Sequence, residues 1–226
     1  MEMKKSYIFL VVFFLISSCI EIIDDIKFNI DGSGTFKYTI NLSSSQVKLN
    51  SILALDSLDG KRVPSLLEIH EKIEEFTSVL SIQEGISNVS VDTNYSHFIF
   101  KIECDFTNIL ALQQGIQKSL KSTVNQLEEE ELSYNWISWN GQILVRKIPD
   151  IEKMNIPSLK TDDSDLLKNG NYTSITRFEN RVNKFDNLTA ILSKNEKAVM
   201  IRKSVFDVLN DRHIMDNIIY VDSTRY

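Results

Sequence analysis

Residues 26–42 carry the clearest alternation of hydrophobic and polar positions in the chain. Apolar side chains occupy every second position on both sides of a Gly-rich turn, the DGSG of residues 31–34: Ile26, Phe28 and Ile30 before it, and Phe36, Tyr38, Ile40 and Leu42 after it. This pattern predicts a β-hairpin with one apolar and one solvated face. The turn lacks the lysine and the following helix of a phosphate-binding loop, so we interpret it as a turn only.

Two longer segments have apolar side chains at helical spacing. The first follows Pro64, where Ser65 and Glu68 match a capping box, and Gly85 lies just past its end. The second is predicted to begin at Thr107. The two apolar stripes are Leu66, Ile69, Ile73, Phe76 and Leu80, and then Ile109, Leu112, Ile116, Leu120, Val124 and Leu127. Each stripe predicts a helix that lies on a sheet, and a shorter helix is predicted around residues 47–55.

Further hairpins are predicted along the rest of the chain. One pairs residues 89–91 with 98–106, and another pairs residues 134–139 with 143–148 through Asn140-Gly141, the preferred pair of a type I′ turn. Residues 171–226 are too few to be stable alone, so their strands are expected to complete the earlier sheet. The predicted class is α+β, an antiparallel sheet built from hairpins with two main helices on one face.

The amino terminus has the three parts of a secretory signal. Lys4 and Lys5 precede a ten-residue apolar block, residues 7–16, and Ser17-Ser18-Cys19 follows. A membrane-spanning helix needs about 20 apolar residues, so a retained anchor is the weaker alternative. We therefore predict a signal peptide at residues 1–18 and one domain at residues 19–226, with an internal boundary as an alternative in the aperiodic loop 149–170.

The composition of the mature chain restricts the classes of partner that it is expected to bind. Removing 18 of the 226 residues leaves 208, with 23 of the 25 basic and 30 of the 31 acidic side chains. This acidic balance argues against nucleic acid or an anionic lipid surface as an electrostatic partner. Cys104 shares one face of a predicted strand with Phe98, Phe100 and Phe106, so we place it in the core as an unreactive thiol.

The sequence contains no recognisable catalytic, metal or cofactor motif. His70, His97 and His213 have no neighbouring set of ligands at zinc spacing, and the acidic run 162–165 lacks the glycine and closing glutamate of a calcium loop. Tyr134, Trp136 and Trp139 form a candidate binding surface for a sugar or peptide, with core packing as the alternative. Alternation along a strand directs at least one of these rings inward.

Two short stretches resemble known bacterial lipoproteins. Ile16-Ser17-Ser18-Cys19 resembles the lipobox of lipoprotein precursors, and residues 31–38 (DGSGTFKY) resemble the opening of uncharacterised Bacteroidetes-type lipoproteins and LppM-type ectodomains. The resemblance implies acyl chains such as palmitate on Cys19. It also implies a place in the cell envelope, with outer-membrane sorting, and lipid or glycolipid binding for LppM-like domains. It supplies no catalytic residue.

Two functions remain open from the sequence. The first is a non-catalytic envelope lipoprotein that binds a protein or a lipid-like ligand. An acyl-sized cavity would favour the lipid, and a solid core with an exposed patch would favour the protein. The alternative is a lipid-tethered hydrolase with a site assembled from scattered Asp, Glu and His residues, in which His97 or His213 meets a carboxylate in a cleft.

Overall fold

The computed structural model describes residues 20–58, 60–123, 134–147 and 168–222. The strands are β1 (Glu21–Phe28), β2 (Gly34–Asn41), β3 (Ser57–Leu58), β4 (Lys61–Arg62), β5 (Ile86–Asn94), β6 (Ile99–Phe106), β7 (Ile137–Trp139), β8 (Ile143–Arg146), β9 (Asn171–Phe178), β10 (Val182–Phe185), β11 (Ile191–Leu192), β12 (Ala198–Ser204) and β13 (Asn217–Val221). The α-helices are α1 (Gln46–Leu53), α2 (Leu66–Ser81), α3 (Ile109–Thr123) and α4 (Val205–Asn210), and 3-10 helices span Ser43–Ser45 and Arg212–Met215.

The strands form one large and one smaller sheet, besides the short β3–β4 pair. The large sheet has seven strands in the order β11-β12-β9-β1-β2-β6-β5, and the smaller one has four in the order β10-β13-β8-β7. Neighbouring strands are antiparallel, except that β1 and β9 run parallel. The α+β class is confirmed, and β9, β11 and β12 complete the large sheet as expected. The second sheet and the parallel pair were not predicted.

The first hairpin owes its turn to two glycines with different roles. Gly32 has a φ of +86°, a conformation that suits glycine. A Cβ on Gly34 would lie 1.9 Å from the Lys27 carbonyl oxygen and 2.5 Å from the Phe106 ring. Asp31 Oδ1 accepts a hydrogen bond from the Ser33 N–H at 3.0 Å, which closes the turn. The predicted hairpin is confirmed, and each glycine of the motif has a steric reason.

The two main helices form close to the predicted places. The Ser65 side chain accepts from the Glu68 N–H while the Glu68 carboxylate accepts from the Ser65 N–H, so the predicted capping box is present. The second helix begins at Ile109 rather than at Thr107, because Asn108 Oδ1 caps it by accepting from the Ala111 N–H at 2.9 Å. The Thr107 N–H instead donates to the Gly85 carbonyl.

The hairpin of β7 and β8 forms, but its turn is not the type I′ turn predicted from Asn140-Gly141. Of these two residues only Gly141 has a positive φ, at +93°. The Asn140 N–H donates to the Ile143 carbonyl, which makes Gly141 and Gln142 the central residues. Asn140 Oδ1 accepts from the Gln142 and Ile143 N–H groups at 3.0 and 2.7 Å. The asparagine side chain therefore closes the turn from outside its centre.

One face of the large sheet is covered and the other meets solvent. Helices α2 and α3 pack on its β5–β6 half, and the four-stranded sheet covers the region of β1 and β9. The prediction of two helices on one face is therefore confirmed. The opposite face carries ion pairs such as Lys37–Glu103 at 2.9 Å and Arg177–Asp25 at 2.8 Å.

Several predictions concern parts of the chain outside the described residues. These are the signal peptide 1–18, Cys19, the calcium-like run 162–165 and all but the last three residues of the loop 149–170. Within the described ranges, no helix has both the length and the apolar content needed to cross a membrane.

Candidate functional site

A charged side chain occupies a core position of the central strand β1. Asp24, Ile26 and Phe28 alternate along β1 and are all buried on the covered face of the large sheet. A carboxylate at such a position is costly unless a cation and hydrogen-bond donors surround it. The residues around Asp24 supply both.

Arg146, at the end of β8, provides the opposite charge from the second sheet. Its Nη2 lies 2.9 Å from Asp24 Oδ2 and its Nη1 lies 3.2 Å from Asp24 Oδ1, which is a two-pronged contact between guanidinium and carboxylate. Both side chains are 6% exposed. Two parallel hydrogen bonds of this kind fix the orientation as well as the distance of the partners.

Two hydroxyl groups on β9 complete the cluster. Ser174 Oγ donates to Asp24 Oδ1 at 2.7 Å and accepts from Arg146 Nη1 at 2.6 Å. The Tyr172 hydroxyl donates to Asp24 Oδ2 through a short hydrogen bond and accepts from Arg146 Nη2 at 3.3 Å. We call these four residues, Asp24, Arg146, Tyr172 and Ser174, the buried polar cluster. It joins β1 and β9 of the large sheet to β8 of the smaller one.

The pKa values of Arg146, Tyr172 and the neighbouring Tyr38 are all raised, away from the neutral pH range. Burial alone would lower the pKa of Arg146, but the charge of Asp24 raises it above its usual value. Burial, followed by the negative charge of Asp24, raises the pKa of Tyr172 well above its usual value and that of neighbouring Tyr38 to about 12. The guanidinium therefore stays charged and both phenols stay neutral at pH 7, so the cluster acts as a fixed set of charges and hydrogen bonds.

A small cavity lies beside the cluster between the two sheets. Arg146 Nε is buried and has no hydrogen-bond partner among the described residues. The polar residues that line the cavity are Arg146, Ser174, Thr176 and Asn217. The space accommodates about one water molecule. This cavity is therefore too small for an acyl chain.

The three aromatic residues of the candidate binding surface are not presented together. Trp139 packs against both Phe28 and Phe178, with ring centroids 5.4 Å from each, and Trp136 also packs against the core. Tyr134 is 44% exposed. The geometry favours core packing for the two tryptophans, while binding at Tyr134 stays a prediction.

The three histidines lie apart from the buried polar cluster. His70 Nδ1 lies 2.8 Å from the Tyr95 hydroxyl, and its Nε2 lies 3.2 Å from Glu74 of the same helix. His97 is exposed in the β5–β6 turn. His213 Nδ1 lies 2.9 Å from Asp216 Oδ2, within one 3-10 helix and its cap, and about two-fifths of its side chain is exposed. In the described ranges no group of three or more His, Cys, Asp or Glu side chains is arranged to hold a metal ion.

Of the two cysteines, Cys104 lies within the described residues and Cys19 lies outside them. Cys19, the predicted lipidation site, precedes the first described residue, Ile20. Cys104 on β6 is fully buried, and burial, with the charges of Asp105 and Glu103, raises the pKa of its thiol to about 12. A neutral, inaccessible thiol fits the predicted place in the core.

Sequence reasoning missed the buried polar cluster, although part of its signal was present. Asp24 falls in the period-two register of Ile26 and Phe28, so a charge on the core face could have been read from the strand itself. Arg146 stands two positions after buried Leu144 on β8 in the same way. That the two side chains meet depends on which strands lie together, and alternation carries no such information.

Comparisons with known proteins assign no family to this chain. No protein-family model matches the sequence, and no curated protein matches it. Among solved structures, the chain is similar to the folded domain of the Mycobacterium tuberculosis protein LppM, determined by NMR. The match has 9% sequence identity and a TM-score of 0.40, and it covers 93% of this chain and 94% of that domain. The chain is thus a weak structural neighbour of that domain.

Proposed function

We propose that this protein is a bacterial lipoprotein, cleaved before Cys19 and tethered by acyl chains on that cysteine to a membrane of the cell envelope. We place it at the outer membrane, on the lipobox resemblance and on Ile20 after the cysteine. Its α+β domain serves as a non-catalytic module that binds a partner at its surface.

The position of β1 carries the proposal. Cys19 directly follows a small-residue site and an apolar block of signal-peptide length. Strand β1 begins only two residues later, at Glu21, and is paired on both sides, with β2 and β9. Cleavage beyond β1 would remove a central strand of the large sheet, while cleavage before Cys19 keeps it whole. The processing site and the fold are therefore compatible.

A non-catalytic role is supported by how the buried charges are used. Asp24 and Arg146 bind each other and two hydroxyl groups in the interior, so neither offers a free acid or base to a substrate. The His213–Asp216 contact, a pairing of the kind that the alternative hydrolase requires, is local to one short surface helix and its cap. General acid–base catalysis needs such a pair within reach of a bound substrate.

The water-sized cavity between the sheets supports a partner at the surface. A lipid-like ligand held inside the domain needs a cavity of several hundred Å³, and the space beside Arg146 accommodates about one water molecule. The space beside Arg146 therefore does not hold a lipid, and we favour a protein partner at the surface of this module.

The anchor is tested by replacing Cys19 with Ala in the full chain. Wild-type protein should incorporate an alkyne-palmitate label and show an acyl mass increment on a peptide that begins at residue 19. Cys19→Ala should lose both and leave unprocessed or soluble protein. Cys104→Ala is the matched control, because its buried thiol should not contribute to labelling. Membrane retention and labelling that persist in Cys19→Ala would contradict the proposal.

A further inference from the structure

The predicted lipid attachment point adjoins a residue that is already part of the large sheet. The Ile20 carbonyl accepts a hydrogen bond from the Asn171 N–H at 2.7 Å. Cys19 immediately precedes Ile20 in the chain, and consecutive Cα atoms lie about 3.8 Å apart. Given the proposed lipid anchor on Cys19, the acyl chains are therefore joined to the domain without a linker. The end of the sheet where β1 begins must lie close to the bilayer.

The same end of the sheet carries exposed apolar side chains. Strand β2 ends there at Asn41, the partner of Glu21, and α1 follows after a single 3-10 turn. Gln46 of α1 donates to the Ser96 carbonyl in the β5–β6 turn at 2.6 Å. Val47 lies on α1, Leu55 and Leu58 follow α1 in the chain, and Leu66 and Leu67 begin α2; we call these five exposed side chains the apolar end.

Helix α2 fixes Leu66 and Leu67 at this end as well. Its first turns lie against the β5–β6 turn, where His70 Nδ1 is 2.8 Å from the Tyr95 hydroxyl. Its last residue precedes Gly85 and Ile86, which lie at the opposite end of the sheet beside Phe106 and Thr107. The helix has 16 residues and is therefore about 24 Å long.

The apolar end is poorly explained by packing within the domain. Helix α1 buries none of its residues, and Val47 is 83% exposed. Single exposed apolar residues are ordinary, but five within residues 47–67 favour an interaction surface. The surface closest to this segment, given the proposed anchor on Cys19, is a lipid bilayer.

We propose that the apolar end lies on the bilayer to which Cys19 is tethered, with Val47 and the four leucines inserted at the boundary between headgroups and acyl chains. This inference rests on the proposed lipid anchor. It adds a fixed orientation: the β1–β2 turn and the carboxyl end of α2 face away from the membrane. Amphipathic surfaces bind the interface in this way when their apolar side chains reach the acyl region.

The test uses the full lipidated chain with one added cysteine. Val47→Cys and the control Ile82→Cys are each labelled with a small fluorophore. Ile82 is also apolar and 78% exposed, but it follows the other end of α2. Cys104 is fully buried and should not react in the folded protein. The labelled proteins are reconstituted into phosphatidylethanolamine–phosphatidylglycerol vesicles that contain a spin-labelled lipid, and flotation reports whether they are anchored.

The inference predicts that the label at residue 47 loses most of its fluorescence to the spin-labelled lipid and is protected from aqueous iodide. The label at residue 82 should show the reverse. Floating protein with both labels open to iodide would overturn the orientation and leave the anchor intact. A label at residue 47 that neither quencher reaches would show that a second copy of the chain covers this end, and would also overturn it. Protein that does not float would overturn the anchor and this inference together.

Discussion

Arg146 and Asp24 are separated by 122 residues in the chain, and they meet in the interior through two hydrogen bonds of 2.9 and 3.2 Å. One residue belongs to the smaller sheet and the other to the central strand of the larger sheet. Their contact sets the position of one sheet on the other, because a two-pronged ion pair tolerates little rotation or sliding.

Removing either partner should destabilise the protein strongly. Asp24→Asn leaves the Arg146 charge uncompensated in the interior, and Arg146→Met does the same to Asp24. Each should lower the free energy of unfolding by about 3–5 kcal/mol. Urea unfolding of the detergent-solubilised protein measures this, with tryptophan fluorescence as the probe because Trp139 packs on the core.

Two controls test whether the loss of stability comes from the buried ion pair or from the removal of any charged side chain. Asp25→Asn removes the surface pair with Arg177 on the opposite face, and it should cost about 1 kcal/mol or less. The double variant that combines Asp24→Asn with Arg146→Met should cost clearly less than the sum of the two single changes. Additive losses would show that the two side chains do not act as a pair.

Local pattern was sufficient for the elements that depend on neighbouring residues. The hairpin around Gly32 and Gly34, the capping box of Ser65 and Glu68 and the buried place of Cys104 all follow from spacing within a few residues. In each of these cases the side chains that decide the structure are close together in the chain.

The contacts that define the candidate site could not be predicted in this way. Strands β1 and β9 pair in parallel, with Asp24 opposite Ser174 although 150 positions separate them. Alternation says that a strand has a buried face but not which strand lies beside it. The turn at Asn140 shows the same limit on a small scale, because its side chain closes the loop and displaces the expected central pair.

The last glycine of the DGSG turn should tolerate no side chain. Gly34→Ala would place a Cβ 1.9 Å from the Lys27 carbonyl oxygen and 2.5 Å from the Phe106 ring, so β1 and β6 would have to move. We expect a loss of about 1–3 kcal/mol or more in urea unfolding. Gly60→Ala is the matched control, since nothing lies within 4 Å of its Cβ and only its φ of +78° opposes the change. Equal losses in the two variants would refute the steric role of Gly34.

Gln113 should be the principal polar link between α3 and β7. Its buried amide donates to the Ile137 carbonyl and accepts from the Ile137 N–H, both at 2.9 Å. Gln113→Ala leaves both backbone groups unpaired, and each unpaired buried group costs about 1–3 kcal/mol. Gln117→Ala is the control, because Gln117 makes one exposed hydrogen bond to the Tyr134 carbonyl. Hydrogen exchange at the Ile137 amide should speed up in the first variant only, and an unchanged rate would contradict the link.

Alkaline pH should destabilise the fold through groups that are buried in the neutral form. Burial raises the pKa of the Cys104 thiol from 9.0 to about 12, and the pKa of Tyr38 from 10.0 to about 12. Above pH 9 the unfolded chain releases these protons while the folded chain retains them. Ionisation therefore stabilises the unfolded state relative to the folded state. Stability should therefore be constant with respect to these groups below pH 9 and fall as the pH rises toward 12. Urea midpoints measured from pH 7 to pH 11 should follow this course. In Cys104→Ala, the decline of the midpoint that begins near pH 9 should be smaller. A fall of the same size in Cys104→Ala would show that the thiol does not contribute.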